Sequence, residues 1–268
     1  MVSFPPCKIN LGLNVIEKRS DGYHNLETVF YPIPLNDIVE IIPADTTQFI
    51  ASGITIPGDK STNLCLKAYE LLKSTYKLPP VEIRLHKVIP TGAGLGGGSA
   101  DAAHTLRLLN KLFNLQLSIS QLQDYAQQLG SDCAFFIEDK PMLGLGRGEL
   151  LEPIQLSLKG KFLVLLKPNV HVSTAEAYKG VKPTRSQPSV REIVENTPIE
   201  KWRNLLKNDF EESVFKAHPI ISEYKEKLYA AGALYACMSG SGSSVFGIFE
   251  KPFNFTGEDL VWSGLLVH

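Results

Sequence analysis

Five glycines fall within seven positions, Gly92 to Gly98, inside the stretch PTGAGLGGGSADAA from Pro90 to Ala103. Glycine reaches backbone conformations closed to other residues and lets a ligand come close to the main chain. A helix-favouring run follows at once from Ser99. A helix start presents unpaired N–H groups and the positive end of a dipole, so this combination is suited to an anion, above all phosphate. A second glycine-serine turn, Ser239-Gly240-Ser241-Gly242-Ser243, lies further along the chain. It is either a plain hairpin turn or a second wall of the same region.

Three familiar phosphate loops can be weighed against the first stretch. The pattern G-x-x-x-x-G-K-[ST] fails because Gly98 stands where lysine is required. The dinucleotide pattern G-x-G-x-x-G is met by Gly92, Gly94 and Gly97, but its context is wrong. That pattern wants the end of a first buried strand and an acid about 20 residues later. Here the preceding strand is internal, Pro90 intervenes, and the next acid after the helix is Asp124. The protein-kinase glycine loop needs V-A-I-K and H-R-D partners, and the chain has neither.

The elements around the loop follow from periodicity. Cys7, Ile9, Leu11 and Leu13 alternate with Lys8, Asn10, Gly12 and Asn14, which predicts a strand. On an ordinary strand the second set would be a solvated face. Ser20-Asp21-Gly22 reads as a hairpin turn into a strand over 26–33. Further strands are predicted over 37–42, 47–51 and 81–88, and helices over 63–76, after the glycine loop, and over 120–129 ending at Gly130. The LGLG of residues 143–146 reads as turn material leading into a strand. KFLVLLK, Lys161 to Lys167, is a short apolar run suited to a buried strand. GVKPTRSQPSVR is polar and proline-bearing and predicts an exposed loop. Helices are expected over 189–195, 198–216 with an interruption, and 219–231, and strands over 235–238 and 245–249. The mixture predicts an α+β protein of two domains, 1–156 and 157–268.

The 268 residues suffice for cores of this kind. A net charge of −1 gives no electrostatic reason to expect nucleic acid or an anionic membrane as partner. No apolar run approaches the ~20 residues that span a bilayer, and MVSFPPCKIN lacks the order of a signal peptide. Cys7, Cys65, Cys133 and Cys237 are widely spaced, against zinc and against a disulfide framework. His86, His104, His171 and His218 likewise lack metal-site spacing. A cytoplasmic protein is expected. Oligomeric state is not legible.

P-x-x-x-G-L-G-G-G-S-x-D-A-A resembles the nucleotide loop of the GHMP small-molecule kinases. The likeness extends along nearly the whole chain. K-I-N-L-x-L-x-V stands at Lys8 to Val15, R-x-D-G-Y-H-x-L-x-T at Arg19 to Thr28, and L-G-S-D-x-x-F-F at Leu129 to Phe136. V-S-T-x-x-A-Y stands at Val172 to Tyr178, and M-S-G-S-G-S-S-V-F-G at Met238 to Gly247. These resemble one branch in particular, whose acceptor is a methylerythritol carrying a cytidine diphosphate handle in non-mevalonate isoprenoid precursor synthesis. One departure is Ala100, where the family often has a second serine.

The resemblance implies an N-terminal ATP-binding domain like domain 2 of ribosomal protein S5 and a ferredoxin-like C-terminal domain. It makes Lys8 the catalytic lysine and Asp132 the base that takes the proton of the attacking hydroxyl; without it, Asp132 after Gly130 reads as a helix N-cap. It assigns the pyrimidine to Tyr23, which stacks, and His24, which hydrogen-bonds, with Tyr178 as the opposing aromatic face and Thr174 nearby, and it counts Asn10 among the substrate-binding residues. It puts Asn63 and Lys87 near adenine. Pro90, Thr91, Gly92, Ala93, Gly94, Leu95, Gly96, Gly97, Gly98, Ser99 and Ala100 wrap the phosphates of ATP, with Mg2+ as counterion on unidentified ligands. Two alternatives remain: a kinase of the same family acting on homoserine or mevalonate, and a non-catalytic nucleotide-binding regulator. The Tyr23-His24 pair with Tyr178 argues against the first, and retention of Lys8 and Asp132 against the second.

Overall fold

The computed structural model describes residues 1–184 and 188–268. In chain order the elements are β1 Val2–Ser3, β2 Pro6–Lys18, β3 His24–Asn36, β4 Ile38–Pro43, β5 Gln48–Gly53, α1 Leu64–Tyr76, β6 Val81–Lys87, α2 Gly97–Leu112 and α3 Ile119–Leu129. They continue with β7 Met142–Gly146, β8 Leu150–Pro153, β9 Phe162–Leu166, α4 Thr174–Lys179, α5 Val190–Asn196, α6 Trp202–Leu205, α7 Glu211–Ala217, α8 Pro219–Ala230, β10 Tyr235–Met238, β11 Val245–Phe249 and β12 Leu260–Leu265. These form two compact units interleaved in sequence: Met1–Cys7, Pro34–Thr91 and Gly96–Lys140 in one, Lys8–Ile33, Gly92–Leu95 and Pro141–His268 in the other.

The first unit is built on a sheet of order β1-β4-β6-β5. β4 runs antiparallel to β6, from Ile38 opposite His86 to Pro43 opposite Val81. β5 runs parallel to β6, and a parallel pair needs a crossover, which α1 supplies. Val39, Ile41, Ile83 and Leu85 from the sheet are buried, as are Tyr69 and Leu72 of α1 and Leu106 and Leu109 of α2. Asn63 caps α1 by accepting from the Cys65 N–H (2.9 Å). α2 starts inside the glycines, with Gly96 at φ +71° as its N-cap and no side-chain cap. α3 opens with a Ser118–Gln121 capping box and stops at Gly130, whose φ of 170° is extended.

The second unit carries two sheets, β2-β3-β7-β8 and β10-β11-β9-β12. In the latter every neighbouring pair is antiparallel, and the order is that of a split βαβ arrangement, as the ferredoxin-like expectation required. The connection from β11 to β12 carries no helix. β9 is buried at every position, which explains its unbroken apolar sequence.

Two sequence expectations change. β2 and β3 are each 13 residues long, and β2 has no solvated face: Lys8, Asn10 and Asn14 are 3%, 2% and 5% exposed. LGLG is not a turn but most of β7, paired to β3 from Leu26 opposite Gly146 to Phe30 opposite Met142. A Cβ on Gly144 would lie 2.4 Å from the Phe30 ring, so glycine there makes room for an aromatic side chain. The strand expected after LGLG is β8, while β12, α4 and the short β1 were not anticipated. Of the predicted polar loop, residues 185–187 lie outside the described residues, and its end at Val190 begins α5.

Candidate functional site

In the second unit the polar face of β2 becomes a buried hydrogen-bonded chain. Lys8 Nζ donates to Asn10 Oδ1 (2.5 Å), Asn10 Nδ2 donates to Thr28 Oγ1 (3.0 Å), and Thr28 Oγ1 donates to the Gly12 carbonyl (2.5 Å). The ammonium also stands 5.2 Å from the centroid of the Phe30 ring. A buried cation needs polar partners to offset desolvation, and this chain holds the Lys8 head in one place. The Lys8 N–H donates to the Leu95 carbonyl (2.9 Å), tying the strand to the glycine loop.

The second glycine-serine turn packs on that same loop segment. Ser239 Oγ donates to the Gly94 carbonyl (2.9 Å), and the Ser244 N–H donates to the Ala93 carbonyl (3.3 Å). Gly94 sits at φ +76°, and a Cβ there would lie 2.0 Å from the Ser239 carbonyl oxygen. Both the conformation and the approach require glycine. A Cβ on Gly92 would meet the His171 ring at 3.0 Å. The turn is therefore a wall of the loop and not an isolated hairpin end.

In the first unit a cavity of about 460 Å³ is lined by residues 51–60, Thr62, Asn63 and Leu64 together with Phe49, Gly98 and Asp101. A Cβ on Gly98 would meet nothing within 4 Å, so the start of α2 is open there. Lys87 is not part of the lining. It is 3% exposed, and its ammonium donates to Asp101 Oδ2 (2.8 Å) and to Asp37 Oδ2. Asp37 Oδ1 accepts from the Val88 and Ile89 N–H groups (2.6 and 2.9 Å), fixing the chain just before Pro90. Burial opposes the Lys87 charge, but the two carboxylates outweigh it and hold its pKa above the usual lysine value. Burial pushes the Asp101 carboxyl up to about 7, with Lys87 pulling against it and Asp37 adding to it. Gly97 allows α2 to press on this cluster, since a Cβ would lie 2.9 Å from Ile89 and 3.2 Å from Lys87 Nζ. Ser99 hydrogen-bonds Cys133, whose thiol burial raises to about 12. Ala100 is fully buried, and Pro90 and Thr91 are half-buried.

Asp132 precedes the short 3₁₀ turn Cys133–Ile137 but makes no side-chain cap bond to it. The capping role open to it on sequence grounds is not the one its carboxylate performs. The aromatic residues are arranged differently from expectation. His24, expected to hydrogen-bond a base, stacks on Tyr178 with ring centroids 4.8 Å apart at 20°. Tyr178 in turn meets Phe210 edge-on at 4.7 Å. Tyr23 is 56% exposed and lies under the Arg147 guanidinium at 4.9 Å. Burial, with Lys18 adding, lowers the His24 pKa below the usual histidine value. Thr174 opens α4 on the surface, behind the Ser173 cap.

Several residues of this arrangement had no sequence signal. Asp37 lies 50 residues from Lys87 in no motif. Asp101 belongs to the quoted D-A-A, and Thr28 ends the quoted N-terminal motif, yet spacing alone gave neither a role. Among the described residues no group of three or more His, Cys, Asp or Glu is placed to hold a metal ion, and no helix is long and apolar enough to cross a membrane. The four cysteines are free and buried.

The family model for the GHMP kinases N terminal domain matches residues 63–140, and that for the GHMP kinases C terminal matches residues 188–254. A protein of Bacteroides fragilis called 4-diphosphocytidyl-2-C-methyl-D-erythritol kinase is 55% identical over 263 residues, covering 97% of this chain and 96% of the relative. One of the same name from Chlorobium limicola is 42% identical, covering 91% and 87%. The crystal structure of a 4-(cytidine 5'-diphospho)-2C-methyl-D-erythritol kinase superposes with a TM-score of 0.81 at 33% identity, covering 94% of this chain and 91% of that one. Homoserine kinase from Cytophaga hutchinsonii shares the fold at a TM-score of 0.63 and 18% identity, covering 92% and 85%. With relatives this similar over almost their full length, the chain belongs to the 4-diphosphocytidyl-2-C-methyl-D-erythritol kinase family of the GHMP kinases.

Proposed function

We propose that this chain transfers the γ-phosphoryl group of ATP to the 2-hydroxyl of 4-diphosphocytidyl-2-C-methyl-D-erythritol, in non-mevalonate isoprenoid precursor biosynthesis. The observation that carries the reading is the 55% identity to a kinase of that name across nearly both chains. The homoserine kinase likeness, at 18% identity, speaks for the fold alone.

The roles follow from the chemistry of phosphoryl transfer, which rests on positioning and charge neutralisation. Asp132 accepts the proton of the 2-hydroxyl as that oxygen attacks phosphorus. Lys8, its head fixed by Asn10, supplies positive charge beside the transferred group. The main chain from Pro90 to Ala100 holds the phosphates; the uncapped start of α2 and the open space at Gly98 suit that use. Asn63 faces the nucleoside end from the cavity wall, whose volume is that of an ordinary ligand site. Lys87 serves it from behind, by fixing Asp101. Tyr23, His24, Thr174 and Tyr178 receive the cytidine end. Mg2+ is the counterion that ATP brings with it; such ions take few protein ligands and keep phosphate and water oxygens. The protein works on small molecules in the cytoplasm, without nucleic acid or membrane, and its N-terminal and C-terminal family domains divide in sequence near residue 157, between the two family matches.

A coupled ADP-release assay tests the reading. ADP release is expected with the cytidyl substrate, and only background with homoserine, mevalonate or the uridyl analogue. Background release with the cytidyl substrate would overturn it.

A further inference from the structure

The segment Lys207–Glu211 enters none of the roles above, yet its side chains and backbone are spent on other elements. The Leu13 N–H donates to the Lys207 carbonyl (2.8 Å), and the Asp209 N–H donates to the Leu13 carbonyl (2.8 Å). Asp209 Oδ2 accepts from the Val15 N–H (2.7 Å). These bonds grip β2 directly downstream of Lys8 and Asn10, where a Cβ on Gly12 would lie 2.4 Å from Leu206. On the other side Asn208 Nδ2 donates to the carbonyls of Met238 (2.9 Å) and Gly240 (2.8 Å), while its Oδ1 accepts from the Phe210 N–H (3.0 Å). Glu211 Oε1 accepts from the Met238 N–H (2.9 Å), and its Oε2 is held by Lys225 (2.6 Å). Asn208 is 2% exposed. One short segment thus binds both the strand that carries Lys8 and the turn whose Ser239 holds the Gly94 carbonyl.

We infer that Asn208 is a positioning residue for phosphoryl transfer. Its amide spans the two carbonyls that bracket Ser239, and so sets where Ser239 meets Gly94 and where Gly240 abuts Asn10, 3.3 Å from a Cβ position on Gly240. Asn208 acts through the turn, because its side-chain amide is spent on the Met238 and Gly240 carbonyls and the Phe210 N–H. Primary amide chemistry is required, because only Nδ2 offers two protons to two carbonyls while Oδ1 accepts. An aspartate of the same shape would turn an acceptor toward both carbonyls and push the turn off the loop. The inference rests on the reading of Lys8 and the glycine loop as the phosphate-handling groups.

The test is steady-state kinetics of Asn208→Asp and Ser239→Ala beside the wild type, with melting temperatures. A small misplacement of phosphate-handling groups costs about 100-fold in rate. For Asn208→Asp a fall in kcat of about 100-fold is expected, with KM for the cytidyl substrate within about threefold. A kcat within threefold of wild type, or a loss confined to KM, overturns the inference. If Asn208→Asp does not fold, Ser239→Ala decides: it removes one buried hydroxyl, and about a tenfold fall in kcat is expected, whereas an unchanged kcat contradicts the proposal. A wild type that releases no ADP sinks the functional reading and this inference together; an active wild type beside variants of unchanged kcat sinks the inference alone.

Discussion

Replacing Lys87 by methionine would remove the cation shared by Asp37 and Asp101 while keeping most of the side-chain volume. All three groups are buried, at 3% exposure or less. Stranding a buried charge by deleting its partner costs about 3–5 kcal/mol, a large part of a typical stability of about 5–15 kcal/mol. At about 2–4 °C per kcal/mol for chains of this size class, the melting temperature is expected to fall by roughly 10 °C at pH 8. The pH dependence gives the sharper test. The Asp101 carboxyl is raised to about 7 in the folded state, by burial first. A carboxyl raised in this way contributes stability that is complete below the ordinary range near ~4 and lost as pH rises through the folded value. Without the ammonium that value rises further, and the loss extends above neutrality. Lys87 itself, held above the usual lysine value, stays charged throughout. Differential scanning fluorimetry at pH 5 and pH 8 should therefore show the gap between wild type and Lys87→Met widening with pH. A gap under about 2 °C at pH 8, or a wider gap at pH 5, would refute the reasoning.

The other expectations concern the loop and the pyrimidine end. Gly94→Ala adds a Cβ at 2.0 Å from the Ser239 carbonyl at φ +76°; a left-handed strain of about 1–2 kcal/mol and a displaced turn should lower kcat by about 100-fold in the ADP-release assay. Gly98→Ala has the opposite sign for stability, because its methyl meets nothing and alanine favours a helix by about 1 kcal/mol, so a higher melting temperature with a raised KM for ATP is expected. Tyr178→Ala should raise KM for the cytidyl substrate by at least about tenfold while kcat changes far less, since the ring binds and does not react. The lowered His24 pKa keeps that ring neutral at physiological pH; KM for the cytidyl substrate should be flat from pH 7 upward and rise only below the ordinary histidine value near ~6.5, measured across a pH series.

Much of this was readable from residue order, for identifiable reasons. The apolar run of β9 and the start of α2 at the glycines are encoded by local pattern, and β4, β5 and β6 fell within a residue or so of expectation. The length of β2 and β3 was not, because alternation predicts a wet face and only tertiary packing makes Lys8, Asn10 and Asn14 buried. β7 was missed since its glycines, of which Gly144 admits the Phe30 ring, read locally as a turn. At the site, Lys8 and Asn10 were visible as a spaced pair on β2, but the extension of their bond to Thr28 depends on a second strand. The family resemblance puts Lys87 near adenine, and its partners in the fold, Asp37 and Asp101, come from other segments of the chain. The clamp at Asn208 carries no periodic signal at all, since its partners are main-chain groups on distant segments.

The most direct measurement follows the γ-phosphoryl group into product, by counting with γ-³²P-ATP and, in a parallel reaction with unlabelled ATP, by ³¹P NMR. The 2-position of a 2-C-methylerythritol is a tertiary carbon without hydrogen. Label should appear in the cytidyl product in equal amount with ADP, and the unlabelled product should show a phosphate monoester resonance lacking three-bond coupling to a carbinol proton. Label recovered only as inorganic phosphate, or a monoester resonance split by such a proton, would contradict transfer to the 2-hydroxyl.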